Sequence, residues 1–188
     1  MDQSSDNGLV ASGYSMSNDG DVTNYQGSGD FWIIKLESEG NLVWEKSIGG
    51  SNEDVAYSIQ QTIDSGFIVA GISKSNDGDV TGNHGATDYW IVKLGFDGNV
   101  MWQRSFGGSK DDIAFFVEQT TDQGFIIAGY SNSNDGDVSG NQECDSNSYD
   151  CYNYWIVRLD MYGDLVWQRT LGGTGKDVAR SIRQCKDG

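Results

Sequence analysis

The hexapeptide Ser-Asn-Asp-Gly-Asp-Val occurs three times, at 17–22, 75–80 and 133–138. Each copy sets two carboxylates one residue apart beside Asn and Gly, and the first two are followed by a further acid, Asp30 or Asp88. Asp19, Asp21 and Asp30, their equivalents Asp77, Asp79 and Asp88, and Asp135 with Asp137 are therefore a candidate set of hard oxygen ligands. The cation that suits them is calcium, which takes roughly six to eight oxygens at flexible geometry, with Asn18, Asn76 and main-chain carbonyls completing the shell. The spacing is not that of an EF-hand, which needs a longer loop and a terminal glutamate. It is nearer to the calcium loops of integrin-type propellers, whose D-x-D-x-D-G pattern is denser. A competing reading is turn chemistry alone: Asn and Asp bond their own backbone, and Gly takes the left-handed conformation. Both readings stand at this point.

Other chemistries find less support. His84 is the sole histidine, and the matching positions in the other units are read as Tyr25 and Gln142, so a repeated histidine site is excluded. No P-loop, no GxGxxG between strand and helix, and no zinc-type Cys/His spacing is present. Carboxylates are numerous enough to leave a glycosidase pair as a minor alternative. Of the three cysteines, Cys144 and Cys151 flank one short segment and are expected to staple it, a bridge suited to an oxidising compartment. Cys185 stands where other units have Thr62 and Thr120, and reads as a small residue in a strand.

The hexapeptides belong to a longer period. Three units run 8–65, 66–123 and 124–188, the third enlarged by seven residues near 141–152, and residues 1–7 are a stub of a preceding unit's last strand. Each unit repeats the same words in order, as in "GFIVAGIS", the acidic loop, "DYWIVKL", "NVMWQRSFGG" and "DIAFFVEQT". Four segments per unit carry β-branched and aromatic residues between turn residues, and none has helical periodicity. Gly40, Gly98 and Gly163 mark a tight hairpin, and "QTIDSGF" and "QTTDQGF" mark a second of the same kind. Up-and-down strand order then puts both hairpins on one face and the acidic loop with the "SIGGSNED" loop on the other.

Basic and aromatic residues follow the same period. Lys35, Lys93 and Arg158 match one another, as do Lys46, Arg104 and Arg169, and Asp54, Asp112 and Asp177 are expected to pair with such cations inside each unit. The six tryptophans fall at two unit positions, Trp32, Trp90 and Trp155, then Trp44, Trp102 and Trp167, a regularity that reads as core.

A length of 188 residues and 12% aromatic content suit one folded domain, and the absence of proline leaves turns to glycine and Asx residues. A net charge of −16 disfavours nucleic acid and anionic membranes. No apolar run is long enough for membrane insertion and no signal peptide is recognisable, so the sequence carries no direct address.

The words "GFIVAGISKSNDGDVTGNHGATDYWIVKL", "GNVMWQRSFGG" and the following Asp resemble the propeller-like repeats of large secreted and cell-surface proteins of Bacteroidetes and some archaea. The resemblance covers nearly the whole chain. It implies an all-β array of four-stranded antiparallel β-propeller-type blades and an extracellular or cell-surface setting. It departs at the cysteine-bearing insertion and at Asn153, where other units have Asp30 and Asp88.

Three blades do not close a ring, since about four to eight are usual. The expected arrangements are half of a six-bladed homodimer or a piece of a longer repeat chain, with a closed three-fold trefoil or prism as the alternative fold. The expected function is a non-catalytic binding or adhesion module that presents its acidic loops to a glycan or surface protein with calcium assisting. The alternative is a structural spacer that self-assembles through open sheet edges.

Overall fold

The computed structural model describes residues 1–141 and 151–185. Among them the chain is all-β: β1 (Asp2–Gln3), β2 (Leu9–Ser15), β3 (Asp30–Leu36), β4 (Leu42–Ile48), β5 (Asp54–Gln61), β6 (Phe67–Ser73), β7 (Asp88–Leu94), β8 (Val100–Phe106), β9 (Asp112–Gln119), β10 (Phe125–Ser131), β11 (Asn153–Leu159) and β12 (Leu165–Leu171). They form three four-stranded antiparallel sheets, β1 to β4, β5 to β8 and β9 to β12, each in simple sequential order. The sheets pack in series and do not close on themselves.

Sheet and sequence unit are offset by one strand. The last strand of each unit, β5 or β9, crosses over to open the next sheet and lies against the one it left. Residues 1–7 supply the corresponding stub for the first sheet, where Asp2 pairs with Val10 and Gln3 with Leu9.

Alternation of side chains explains the order of packing. On β6 and β7, Phe67, Val69, Trp90 and Val92 point toward the first sheet, meeting Val10, Phe31 and Ile33. The alternate residues Ile68, Ala70, Tyr89 and Ile91 point the other way, onto Phe125, Ile127 and Trp155 of the third. Both faces of the middle sheet are thus covered, every residue of β6 and β7 is buried, and their near-continuous apolar sequence follows from that. Aromatic pairs bind sheet to sheet: Phe31 lies 4.4 Å from Trp90, and Tyr89 lies 4.5 Å from Trp155. Such contacts add about 0.5–1.5 kcal/mol each beyond area burial.

Two sequence expectations are corrected here. The buried Lys35 and Lys93 and the half-buried Arg158 pair with Asp6, Asp64 and Asp122 of the Thr/Ser-x-Asp hairpins, at 2.9, 2.9 and 2.5 Å, rather than with Asp54, Asp112 or Asp177. The short turn brings its carboxylate under the cation of the neighbouring strand, whereas Asp54 lies at the far end of the sheet. In those same hairpins the left-handed residue is Asn7, Ser65 or Gln123, with φ of 64°, 65° and 71°, and the adjoining glycine serves a different need. A Cβ on Gly66 would press against the Leu94 carbonyl and the Lys93 ammonium.

Candidate functional site

The acidic loops and the Gly-Gly loops share one end of the sheets, the hairpins the other. Each acidic loop begins alike: the hydroxyl of Ser15, Ser73 or Ser131 accepts the backbone N–H of Ser17, Ser75 or Ser133. The turn then closes with Val22, Val80 or Val138 donating to the carbonyl of Asp19, Asp77 or Asp135. This is local chemistry and it is the same in all three.

The second and third loops go further, because each is laid on the Gly-Gly loop of the preceding sheet. Asp77 Oδ1 accepts the Ser51 amide at 2.8 Å, Asp79 Oδ2 accepts the Gly49 amide at 3.2 Å, and Ser75 Oγ accepts the Asn52 amide at 3.0 Å. The third loop repeats this with Asp135 on Ser109, Asp137 on Gly107 and Ser133 on Lys110, at 2.8, 3.3 and 3.1 Å. The Asp79 and Asp137 amides return the bond to the Gly49 and Gly107 carbonyls. Asp19 and Asp21 of the first loop are exposed, with no Gly-Gly loop laid against them.

Beneath each clasp lies a pair of buried acids. Asp54 Oδ2 accepts the Gly50 amide at 2.8 Å and the Ser75 hydroxyl at 2.9 Å, and Asp112 Oδ2 does the same with Gly108 and Ser133. Asp30 Oδ2 accepts the Gln26 amide and the Ser47 hydroxyl, and Asp88 Oδ2 accepts the His84 amide with the His84 ring Nδ1 at 2.8 Å. All four side chains are buried, and each keeps its Oδ1 without a hydrogen-bond partner among the described residues. Burial raises the pKa of each; Asp30 also raises that of Asp54, and Asp88 that of Asp112, which is pushed up to about 6.

The acids of a pair flank one glycine: a Cβ on Gly107 would fall 2.6 Å from Asp88 Oδ1 and 2.7 Å from Asp112 Oδ2. In the third unit Asn153 replaces the first acid and donates its amide to Asn141 Oδ1. That substitution removes one charge of the pair.

Asp30 and Asp88 of the candidate calcium set thus lie under the clasp, Asp77, Asp79, Asp135 and Asp137 in it, and Asp19 and Asp21 outside it. No group of three or more metal-ligating side chains is formed among the described residues. The raised pKa of Asp112 would suit a general acid, but Asp88 and Asp112 are fully buried, beyond the reach of a polysaccharide.

Cys144 lies outside the described residues; Cys151 is buried, and Cys185, expected as a small residue in a strand, is instead an exposed thiol in a segment that forms none. The position matching His84 is Gln26 rather than Tyr25: their amides make the same bond to Asp88 and Asp30, and their side chains reach Asp137 and Asp79 of the next loop, at 3.7 and 2.7 Å.

Sequence reasoning set the Gly-Gly loop beside the acidic loop but gave its dipeptide no role, although the recurrence of Gly-Gly shortly before Asp54, Asp112 and Asp177 is a visible signal. It also passed over a glutamine that staples neighbouring sheets. Gln61, Gln119 and Gln184 accept from the amides of Ser5, Ile63 and Thr121, at 2.7, 2.8 and 2.9 Å.

The open surface beside the clasps is a groove between outer strands of neighbouring sheets. Between the first and second it forms a cavity of about 530 Å³ whose walls include Asn24, Tyr25, Gln26, Lys46, Asp79 and Asn99. At the next junction a smaller cavity of about 320 Å³ lies between β8, the loop at 81–84 and Asp137, with Thr81, His84, Gln103 and Arg104 in its wall.

No family model matches the chain. Over 165 residues it is 22% identical to a regulatory protein, FlaEY, of Caulobacter vibrioides. The match covers 86% of this chain and 17% of that protein, so the chain spans about a sixth of its relative's length.

Proposed function

We propose that the three sheets are successive blades of a β-propeller-type array, and that the chain is a non-catalytic binding module of an extracellular or cell-surface protein. Its ligand is a glycan or the polar surface of another protein, taken in the grooves between outer strands. The observation that carries this reading is the groove itself. It recurs at both junctions and offers amide, hydroxyl, cationic and carboxylate groups, with the Tyr25 ring beside them at the first. Such a mixture of donors and acceptors meets the hydroxyls of a sugar well. The acidic loops hold the walls of the groove in place, which is a structural task. A charge of −16 speaks against nucleic acid as the ligand.

The test is glycan-array and titration binding of the wild-type chain against a chain carrying Asn24→Ala and Lys46→Ala. Binding that falls with the double variant while the fold persists supports the reading. A flat array together with no capture of surface proteins, or binding indifferent to both substitutions, overturns it.

A further inference from the structure

Each contact that joins one sheet to the next has a half on either side, and at the two outer faces of the array the halves stand apart. Trp44 lies over the hairpin glycine Gly98, where a Cβ would fall 3.1 Å from the indole, and Trp102 lies over Gly163 in the same way at 2.9 Å. The third tryptophan, Trp167, is 47% exposed, and the third platform, Gly40, would have a Cβ with nothing within 4 Å.

The clasp repeats the pattern. A Cβ on Gly50 would press on Asp77 at 2.5 Å, and one on Gly78 would fall 2.5 Å from the Gly49 carbonyl. Gly173 and Gly20, the corresponding residues at the two ends, would meet nothing within 4 Å. Tyr154, which follows Phe31 and Tyr89 in the aromatic series, is 40% exposed.

The backbone is divided likewise. β5 pairs with all of β6 and β9 with all of β10, whereas β1 covers only Val10 and Leu9 of β2, leaving Ala11–Ser15 without a strand on that edge among the described residues. At the other end, residues 177–184 follow the course of β5 and β9 along the sheet they have left. Ala179 donates to the Gly129 carbonyl, Ala179 and Ile182 cover Ile126 and Ile156, and Gln184 makes the staple to Thr121.

We infer that the exposed face of the first sheet accepts the exposed face of the third sheet of a second copy of this chain, head to tail, with residues 177–182 of one copy adding as a strand to β2 of the other. The inference rests on reading the sheets as successive blades. The registers of β5 on β6 and β9 on β10 set the new one: Asp177 opposite Ser15, Val178 opposite Tyr14 and Ala179 opposite Gly13. A bulge at Arg180 follows, where the inner pairs shift register, and then Ser181 lies opposite Ser12 and Ile182 opposite Ala11. Trp167 then lands on Gly40, and the Gly172 and Thr174 amides reach Asp21 and Asp19. The contact joins two different surfaces, so copies either close a ring or run on as an open file. With −16 on each chain it forms against repulsion, and salt strengthens it.

Solution mass across a concentration series at low and high salt tests the inference. The wild-type chain is expected to gain mass with concentration, more steeply at high salt. Trp167→Glu blocks one face and is expected to weaken association roughly 30-fold or more, the scale of losing a buried tryptophan anchor. Ser17→Lys with Asp19→Lys blocks the other face. Neither variant is expected to self-associate at concentrations where the wild-type chain does, and a mixture of the two is expected to form one-to-one pairs through the intact halves. A wild-type chain that stays monomeric throughout overturns the inference, as does wild-type association without pairing of the mixed variants.

Trp102→Glu separates this failure from failure of the blade reading. If it lowers the melting temperature of a wild-type chain that remains monomeric, the head-to-tail contact falls and the blades stand. If it leaves melting unchanged, both fall.

Discussion

The loop at 17–22 and the loops at 75–80 and 133–138 have one sequence, yet Val22 stays half-exposed where Val80 and Val138 are 0% and 2% exposed. All three make the same internal turn bonds, so their difference lies in the neighbour. The later loops rest on a Gly-Gly loop that turns their carboxylates into acceptors for main-chain amides, while the first has no such loop against it. Within one chain an identical hexapeptide thus fastens a junction at 75–80 and at 133–138 and is a solvated turn at 17–22. What a repeated motif does depends on the surface that meets it.

The sharpest break of this comparison uses glycine. Gly108→Ala would drive a methyl into the Asp135 carboxylate, and the expected loss is about 2–3 kcal/mol or more, the scale of overpacking a close-fitted site. Gly173→Ala at the exposed end is expected within about 0.5 kcal/mol of wild type. Thermal and denaturant melting of the two variants checks this, and equal losses would erase the difference between junction and end.

Acid should act on the buried pairs next. Asp30, Asp54, Asp88 and Asp112 have folded-state pKa values raised above those of the unfolded chain, so the folded state takes up protons more readily. Stability is therefore expected to rise as pH falls from about 7 through the Asp112 value of about 6 toward 4, by about 2 kcal/mol from that residue alone. Below about 4 the trend reverses. Asp6 is depressed by the Ser4 hydroxyl and then Lys35, Asp64 by Thr62 and Lys93 against the upward push of burial, and Asp122 by Thr120 and then Arg158. Those carboxylates lose their contribution as pH falls through their folded values. Asp88→Asn, which installs at the second pair the amide already present as Asn153 at the third, is expected to flatten the rise between pH 7 and 4 in urea melts taken across that range. An unchanged slope would dissociate the pair from the pH response.

A smaller effect separates the loops themselves. Asp77→Ala and Asp135→Ala each remove a charged acceptor from a main-chain amide and are expected to lower the melting temperature modestly, while Asp19→Ala should leave the melting of the monomeric chain unchanged. The smallest expected change is the response to calcium. In the two docked loops the carboxylates already serve amide donors, so melting after EDTA and again at millimolar calcium is expected to coincide for those junctions. A calcium-specific rise would show the loops gathering around an ion instead, and its loss in Asp19→Ala would place that ion at the undocked copy.

The all-β character and the four-stranded antiparallel sheets were legible because alternation, turn residues and period are local properties, and "GFIVAGIS" reads as a strand wherever it stands. The cation partners were not: Asp6, Asp64 and Asp122 look like turn formers, and only the path of the hairpin brings them to Lys35, Lys93 and Arg158. The match of Gln26 to His84 was obscured by chemical dissimilarity, and it emerges from the shared amide bond to a buried acid. The clasp was hidden for the most general reason. Its donors are main-chain amides on the neighbouring sheet, and a backbone amide carries no signature in the sequence.

The one-strand offset between sequence unit and sheet bears on how such chains change length. Each of the first two units hands its final strand on as the opening strand of the next sheet, so a gene duplication that adds such a period inserts a sheet whose seams on both sides already exist. Loss of a period heals in the same way. Arrays of this kind can therefore lengthen or shorten by recombination between copies without inventing a new contact, and the unit of inheritance need not coincide with the unit of folding.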